Sequence, residues 1–261
     1  MNQFFSYKNI DVSYSDQGKG PVLLLLHGFL ENKKMWLTIQ PELLKRNRVI
    51  CVDLLGHGKT GNLGYIHKME DQANMILALM KSLRLRKYAL IGHSMGGYVA
   101  MALAAKNTPA IRGIFLMNST PAGDTLEKQK NRDRAIAAVK KNYKTFVKIS
   151  IPNLFSAENQ VRLKPQITAV TKEALAMNLQ GIISALEGMK IRADHTTFLQ
   201  EANLVKYMLI GEADPVLNKD KLLKLAALVE ATTVVLPGGH MSHLEDKIGL
   251  LGALKKFTAS V

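Results

Sequence analysis

The chain has 261 residues, 47% apolar and 21% charged, with a formal net charge of +14. That length suits one large core carrying an insertion, and the balance excludes a disordered, fibrous or disulfide-stapled protein, because the single cysteine, Cys51, can form no internal disulfide. The first residues lack a basic segment followed by a long apolar run, so a cytoplasmic protein without signal peptide or membrane span is expected.

Residues 4–7 and 10–14 read as an edge hairpin. Apolar runs of strand length follow at 22–26, 49–52, 88–91, 111–117, 207–210 and 232–236. Runs without polar alternation suit strands buried on both faces, and Cys51 falls inside the second of them. Between them, 71–83, 98–106 and 220–229 have helical periodicity, so strand and helix alternate as in a doubly wound, mostly parallel α/β sheet.

The alternation breaks once, from 118 to about 197, where helical character continues without a strand. This predicts a core of residues 1–120 and 198–261 and a helical cap over 121–197. Residues 122–175 carry eleven Lys or Arg against five acids. A basic cap of this kind would select anionic or apolar substrates, although a solvated helical face accounts for the same charges. The remaining basic residues are spread along the chain without an aromatic-basic recognition pattern, which reads as a solvated surface and gives no expectation of a nucleic-acid partner.

Gly92-His93-Ser94-Met95-Gly96 carries the most chemistry. It fits G-x-S-x-G, it follows a buried strand and it opens a helix, the context of a nucleophile elbow in which flanking glycines let neighbouring segments approach a strained serine. A phosphate-binding loop would need Lys and Ser or Thr after the last glycine, whereas Tyr98 and Val99 follow Gly97. A serine needs a base, and the base needs an orienting carboxylate. Asp214 follows the strand 207–210 within Gly211-Glu212-Ala213-Asp214, and His240 follows the strand 232–236 after Gly238-Gly239. Both sit where open α/β sheets place functional groups, at the carboxyl ends of strands.

The order Ser94, Asp214, His240, with His27-Gly28-Phe29 after the first long strand and Asp53-Leu54-Leu55-Gly56-His57-Gly58 after the next, resembles the α/β-hydrolase family over nearly the whole chain. The resemblance implies a serine hydrolase with Ser94 as nucleophile, His240 as base and Asp214 as the orienting acid. It also implies an oxyanion hole made by the backbone amides of Phe29 and Met95, whose side chains are expected to line an acyl pocket. Gly28, His93 and Tyr98 are further pocket candidates. No metal or organic cofactor is expected, since no His/Cys/Asp/Glu cluster has ligand spacing. The expected partner is a small-molecule ester or thioester, and the oligomeric state is left open.

Several residues compete for these roles. His243, three positions beyond His240, falls inside the next helix, and Asp124 could replace Asp214 as the orienting acid. His27 and His57 are expected to shape glycine-rich loops by hydrogen bonding, Asp53 to cap a turn, and Glu245 and Asp246 to occupy a first helical turn. Ser94 argues against the dehalogenases and epoxide hydrolases of the family, which use an aspartate. Carbon-carbon hydrolases often carry extra glycines after the first His-Gly, where Phe29-Leu30-Glu31-Asn32 stands here. The chain is also similar around Ser94-Met95-Gly96-Gly97 to the SHCHC synthases of menaquinone biosynthesis, whose next residue is an arginine where this chain has Tyr98. Ester hydrolysis is therefore the leading expectation. A carbon-carbon hydrolase or lyase of the same fold, or a slow-turnover ligand-binding signalling protein, is the alternative.

Overall fold

A computed structural model describes residues 2–261. Eight strands, β1 (Gln3–Tyr7), β2 (Ile10–Gln17), β3 (Val22–Leu26), β4 (Arg48–Val52), β5 (Tyr88–His93), β6 (Ile111–Met117), β7 (Val205–Gly211) and β8 (Thr232–Leu236), form one sheet in the order β1-β2-β4-β3-β5-β6-β7-β8. The first hairpin and the β2–β4 pair are antiparallel, and every pairing from β4 through β3 to β8 is parallel. The doubly wound, mostly parallel sheet expected from the alternating runs is the one observed.

Side-chain alternation explains why those runs had to be continuously apolar. On β3, Leu24 and Leu26 enter one core together with Ile50, Val52, Leu90 and Leu116, while Leu23 and Leu25 enter a second with Val49, Cys51, Ile91 and Phe115. Both faces of the central strands are covered, so period-two segregation puts an apolar residue at every position of β3, whereas the edge strand β8 is mostly exposed, against the two-sided burial expected of its run. The first core is closed by α2 (Met69–Ser82) and α3 (Met95–Lys106); after α1 (Gln40–Leu44), the second is completed by the C-terminal helix.

Between β6 and β7 the chain runs through α4 (Leu126–Ser150), α5 (Ala157–Arg162), α6 (Lys164–Leu175), α7 (Leu179–Lys190) and α8 (Thr196–Glu201), with no strand. The helix α4 is kinked at Asn142, whose φ of −161° and ψ of 90° leave the helical region. After β7 come α9 (Lys219–Leu228), α10 (Ser242–Glu245) and α11 (Lys247–Ala259). Among the described residues no helix is long and apolar enough to cross a membrane.

The inserted helices dock on the core by backbone contact. A Cβ at Gly181 of α7 would lie 2.3 Å from the Gly56 carbonyl oxygen, and one at Gly188 would lie 1.8 Å from that of His67. The His67 amide donates to the Ser184 carbonyl at 2.9 Å, which ties the same helix to the loop before α2. Contacts this close tolerate only hydrogen at the α-carbon, and overpacking of this kind costs about 1–3 kcal/mol. Gly188→Ala is expected to lower unfolding stability by that amount in urea titration; an unchanged midpoint would mean that α7 shifts freely on the core.

Candidate active site

Ser94 lies between β5 and α3 with φ +49° and ψ −115°, a strained conformation for a residue with a Cβ. Tight packing holds it there. A Cβ at Gly96 would meet the Leu26 carbonyl oxygen at 2.2 Å and one at Gly92 would meet that of Gly96 at 2.5 Å, so the glycines let the start of α3 press against the end of β3. The Ser94 amide donates to the Met117 carbonyl at 3.0 Å, and the Ser94 carbonyl accepts from Gly97 N–H at 2.9 Å and from the Ser119 hydroxyl at 2.7 Å.

The three residues singled out at strand ends converge. His240 Nδ1 lies 2.8 Å from Asp214 Oδ2, and His240 Nε2 lies 2.9 Å from Ser94 Oγ. A carboxylate only accepts, so Nδ1 carries the proton and donates, which leaves Nε2 to accept from the serine hydroxyl. Burial pushes the Asp214 carboxyl upward, but the adjacent His240 ring, the Val216 amide and Asn118 Nδ2 together hold it below the usual carboxylate range. Asp214 Oδ1 accepts from the Val216 and Leu217 amides at 2.8 and 3.0 Å, which fixes the orientation of the group.

Ser94 and His240 open onto a cavity of about 340 Å³ that includes Phe29, His93 and Tyr98 in its wall. The cavity is roofed by inserted-helix residues, among them Lys128, Arg132, Phe146, Leu186 and Met189. Two residues expected in the pocket lie outside it. Met95 is fully buried in the core, and its side chain does not line the cavity; as the first residue of α3 its amide has no acceptor one turn back. Gly28 also lies off the cavity: its amide donates to Glu31 Oε2 at 2.9 Å, and a Cβ there would meet that oxygen at 2.5 Å and His93 Nδ1 at 2.7 Å.

The competing residues are engaged elsewhere. Asp124 is sealed against Arg132 at 3.1 Å and Arg192 at 2.6 Å and makes no contact with His240. His243 lies in α10 with Nε2 3.6 Å from Glu31 Oε1. His27 accepts from the Leu54 amide at 2.9 Å and donates through Nδ1 to the Gly28 carbonyl at 2.8 Å, and His57 Nδ1 donates to the Leu55 carbonyl at 2.9 Å, the loop-shaping roles expected of them. Asp53 does accept from the Lys59 amide at 3.1 Å, yet it is also paired at 2.5 Å with buried Lys33. Asp246 caps α11 by accepting from the Gly249 amide at 2.9 Å. Among the described residues no group of three His, Cys, Asp or Glu is placed to hold a metal ion.

Three supporting residues carried no sequence signal. Asn118, at φ +45°, donates to Asp214 Oδ2 and to the Gly239 carbonyl, both at 3.1 Å, and accepts from the Ser242 hydroxyl at 2.7 Å. Glu245, expected only to favour a helix start, accepts from the amides of Gly239 at 2.8 Å, Met241 at 3.0 Å and Ser156 at 3.1 Å and from Asn159 Nδ2 at 2.8 Å. It thereby ties the His240 loop to the inserted helices. Glu31 joins the Gly28 loop to His93 through contacts separated by up to 62 positions in sequence.

A family model described as alpha/beta hydrolase fold matches residues 21–247. The chain is 29% identical over 256 residues to the putative 2-succinyl-6-hydroxy-2,4-cyclohexadiene-1-carboxylate synthase of Bacillus subtilis (strain 168), covering 90% of each. Among solved structures, a thermophilic esterase from Thermogutta terrifontis superimposes with a TM-score of 0.91 at 27% identity, covering 99% of this chain and 98% of that one. The enol-lactonase from Burkholderia xenovorans LB400 shares the fold with a TM-score of 0.91 at 20% identity, covering 98% of this chain and 100% of that one.

Burial dominates three of the neighbouring histidines. It pushes His57 down to about 3 and His67 and His243 down to about 4, so all three stay neutral in the folded state well below their ordinary value of 6.5. Unfolding in that range takes up a proton at each, and stability therefore falls as pH drops from 6.5 towards 4 and then 3. Urea titrations across this window are expected to show a steadily decreasing unfolding free energy; a flat profile would mean that these rings are hydrated in the fold.

Proposed function

The chain belongs to the α/β-hydrolase family, and from that footing we propose that it is a serine hydrolase of carboxylic esters or thioesters working through an acyl-enzyme. The observation that carries this reading is the continuous chain from Asp214 through His240 to Ser94, with contacts of 2.8 and 2.9 Å, opening onto a cavity. Ser94 Oγ attacks the substrate carbonyl while His240 Nε2 takes its proton, and Asp214 stabilises the imidazolium that forms. The oxyanion forms against the amides of Phe29 and Met95, donors worth roughly 3 kcal/mol apiece in such sites. His240 then protonates the leaving alcohol or thiol, and a water activated by the same ring releases the acid. The likeness to the Thermogutta terrifontis esterase supports ester chemistry, and residues 121–197 act as the cap that shapes the pocket.

A cavity of about 340 Å³ lined by Phe29, Phe146, Leu186 and Met189 fits small to medium acyl groups. Lys128 on its roof adds positive charge that favours esters bearing a carboxylate, whereas Arg132 there is paired with Asp124. The likeness to the Bacillus subtilis synthase supports a second reading, carbon-carbon bond chemistry on an acidic substrate. Arg192 does not supply that chemistry at position 98. Its guanidinium lies 3.9 Å over the Tyr98 ring, but its nitrogens are taken up by Asp124 and by the Ala122 and Met189 carbonyls.

A fluorophosphonate probe is expected to label wild-type protein at Ser94 and to leave Ser94→Ala unlabelled. On p-nitrophenyl esters, Ser94→Ala and His240→Ala should each lose roughly 10⁴-fold or more in kcat. Wild-type protein that neither labels nor turns over esters, while cleaving ring-derived diketones, would favour the second reading. Lys128→Ala is expected to raise KM about tenfold for a monoester of a dicarboxylic acid while leaving a neutral ester of the same length unchanged; equal effects on both would remove the charge argument.

A further inference from the structure

Glu31 and His93 form a polar contact beneath the site, with side chains only 3% and 2% exposed. Glu31 Oε2 lies 2.6 Å from His93 Nδ1 and accepts from the Gly28 amide at 2.9 Å; on the far side of the ring, His93 Nε2 lies 2.9 Å from the His240 carbonyl oxygen. His93 thus faces two oxygens, a carboxylate and a backbone carbonyl. A neutral imidazole has one N–H and one lone pair, and the lone pair would be set against an acceptor. A ring protonated on both nitrogens donates to both.

We propose that Glu31 and His93 form a permanent carboxylate–imidazolium pair that positions the catalytic machinery, with His93 a donor to the His240 backbone and Glu31 an acceptor for the oxyanion loop. The pair spans three separate segments of chain. The Gly28 end holds the loop whose next amide, that of Phe29, faces the substrate carbonyl. His93 precedes Ser94 directly, and the His240 carbonyl belongs to the residue that serves as base. A small displacement of any of these would misplace donor, nucleophile or base relative to the others.

The surrounding groups agree with this protonation. Burial alone would push the His93 ring down, but the Glu31 carboxylate outweighs it and the ring is raised above its ordinary value; burial alone would push Glu31 up, but His93 holds it down at about 2. His243, whose ring centroid is 5.6 Å from that of His93, is pushed down to about 4 by burial and stays neutral beside the pair. The other titratable groups facing the pair are the His240 ring, centroid 5.3 Å from that of His93, with Asp214 beyond it, and buried His27, whose value is lowered chiefly by burial.

The kinetic half of this proposal rests on the hydrolase reading above, whereas the protonation half does not. Wild-type protein carrying ¹⁵N-histidine, with His93 assigned through bonds from its own backbone, is expected to show protons on both ring nitrogens at pH 7.5 in long-range ¹H–¹⁵N spectra. One bare ring nitrogen at that pH would overturn the ion pair. Glu31→Gln, checked for fold by near-ultraviolet circular dichroism, should lower kcat about 10- to 100-fold, the range for partners that orient a working ligand, with KM within twofold. Glu31→Asp, which keeps the charge, should recover part of the loss. A folded Glu31→Gln with wild-type kcat and pH profile would overturn the positioning role, and if that variant does not fold, the wild-type spectrum decides. Wild-type protein inactive on every ester would count against the hydrolase reading while leaving the spectrum to judge the pair.

Discussion

The backbone of Ser94 is the constraint on which the site depends. Its φ of +49° is unfavourable for any residue with a Cβ and persists only because the surroundings over-determine it. The end of β3, the start of α3 and the end of β6 meet around it: Gly96 lies against the Leu26 carbonyl, and the Ser94 amide is held by Met117. Without the two-sided burial that makes β3, β5 and β6 rigid, the strain would relax by peptide rotation and the hydroxyl would leave His240.

The partners of that serine are held less by their own strands than by buried polar residues between segments. Asn118, at the end of β6, touches both the Asp214 carboxylate and the Gly239 carbonyl, so Asp214 and the His240 loop share one support. Glu245 collects four N–H donors and joins the His240 loop to Ser156 and Asn159 of the insertion. The His240 amide donates to the Leu154 carbonyl at 2.8 Å, a second tie to the same region. The insertion is therefore part of what places the proposed base, as well as the roof of the cavity. Each carboxylate is buried, and each is satisfied by several donors, which is the condition under which such groups are tolerated inside a protein.

The insertion's charge is partitioned in the same way. Asp124 lies between Arg132 and Arg192, and Arg192 packs on Tyr98 while spending its remaining donors on backbone carbonyls. Positive charge on the insertion thus serves two ends, an internal brace through Arg132 and Arg192 and a cationic cavity wall through Lys128, and composition cannot separate the two.

The strand runs, the hairpin, the helical insertion and the meeting of Ser94, Asp214 and His240 were legible in the linear chain, because continuous apolar runs follow from two-sided burial and because glycine-bounded motifs mark strand ends. Glu31, Asn118 and Glu245 were not legible, and Gly28 and Met95 were misplaced as pocket residues. A carboxylate or amide advertises nothing locally when its partners lie 62, 96 or 89 positions away. The layers, the order of the elements and the side chains able to carry nucleophilic chemistry follow from local periodicity and motif spacing along the chain. Which polar groups lock those side chains into register, and which charges face the cavity, depends on the folded arrangement, because burial and hydrogen-bond partnership are properties of distance in space.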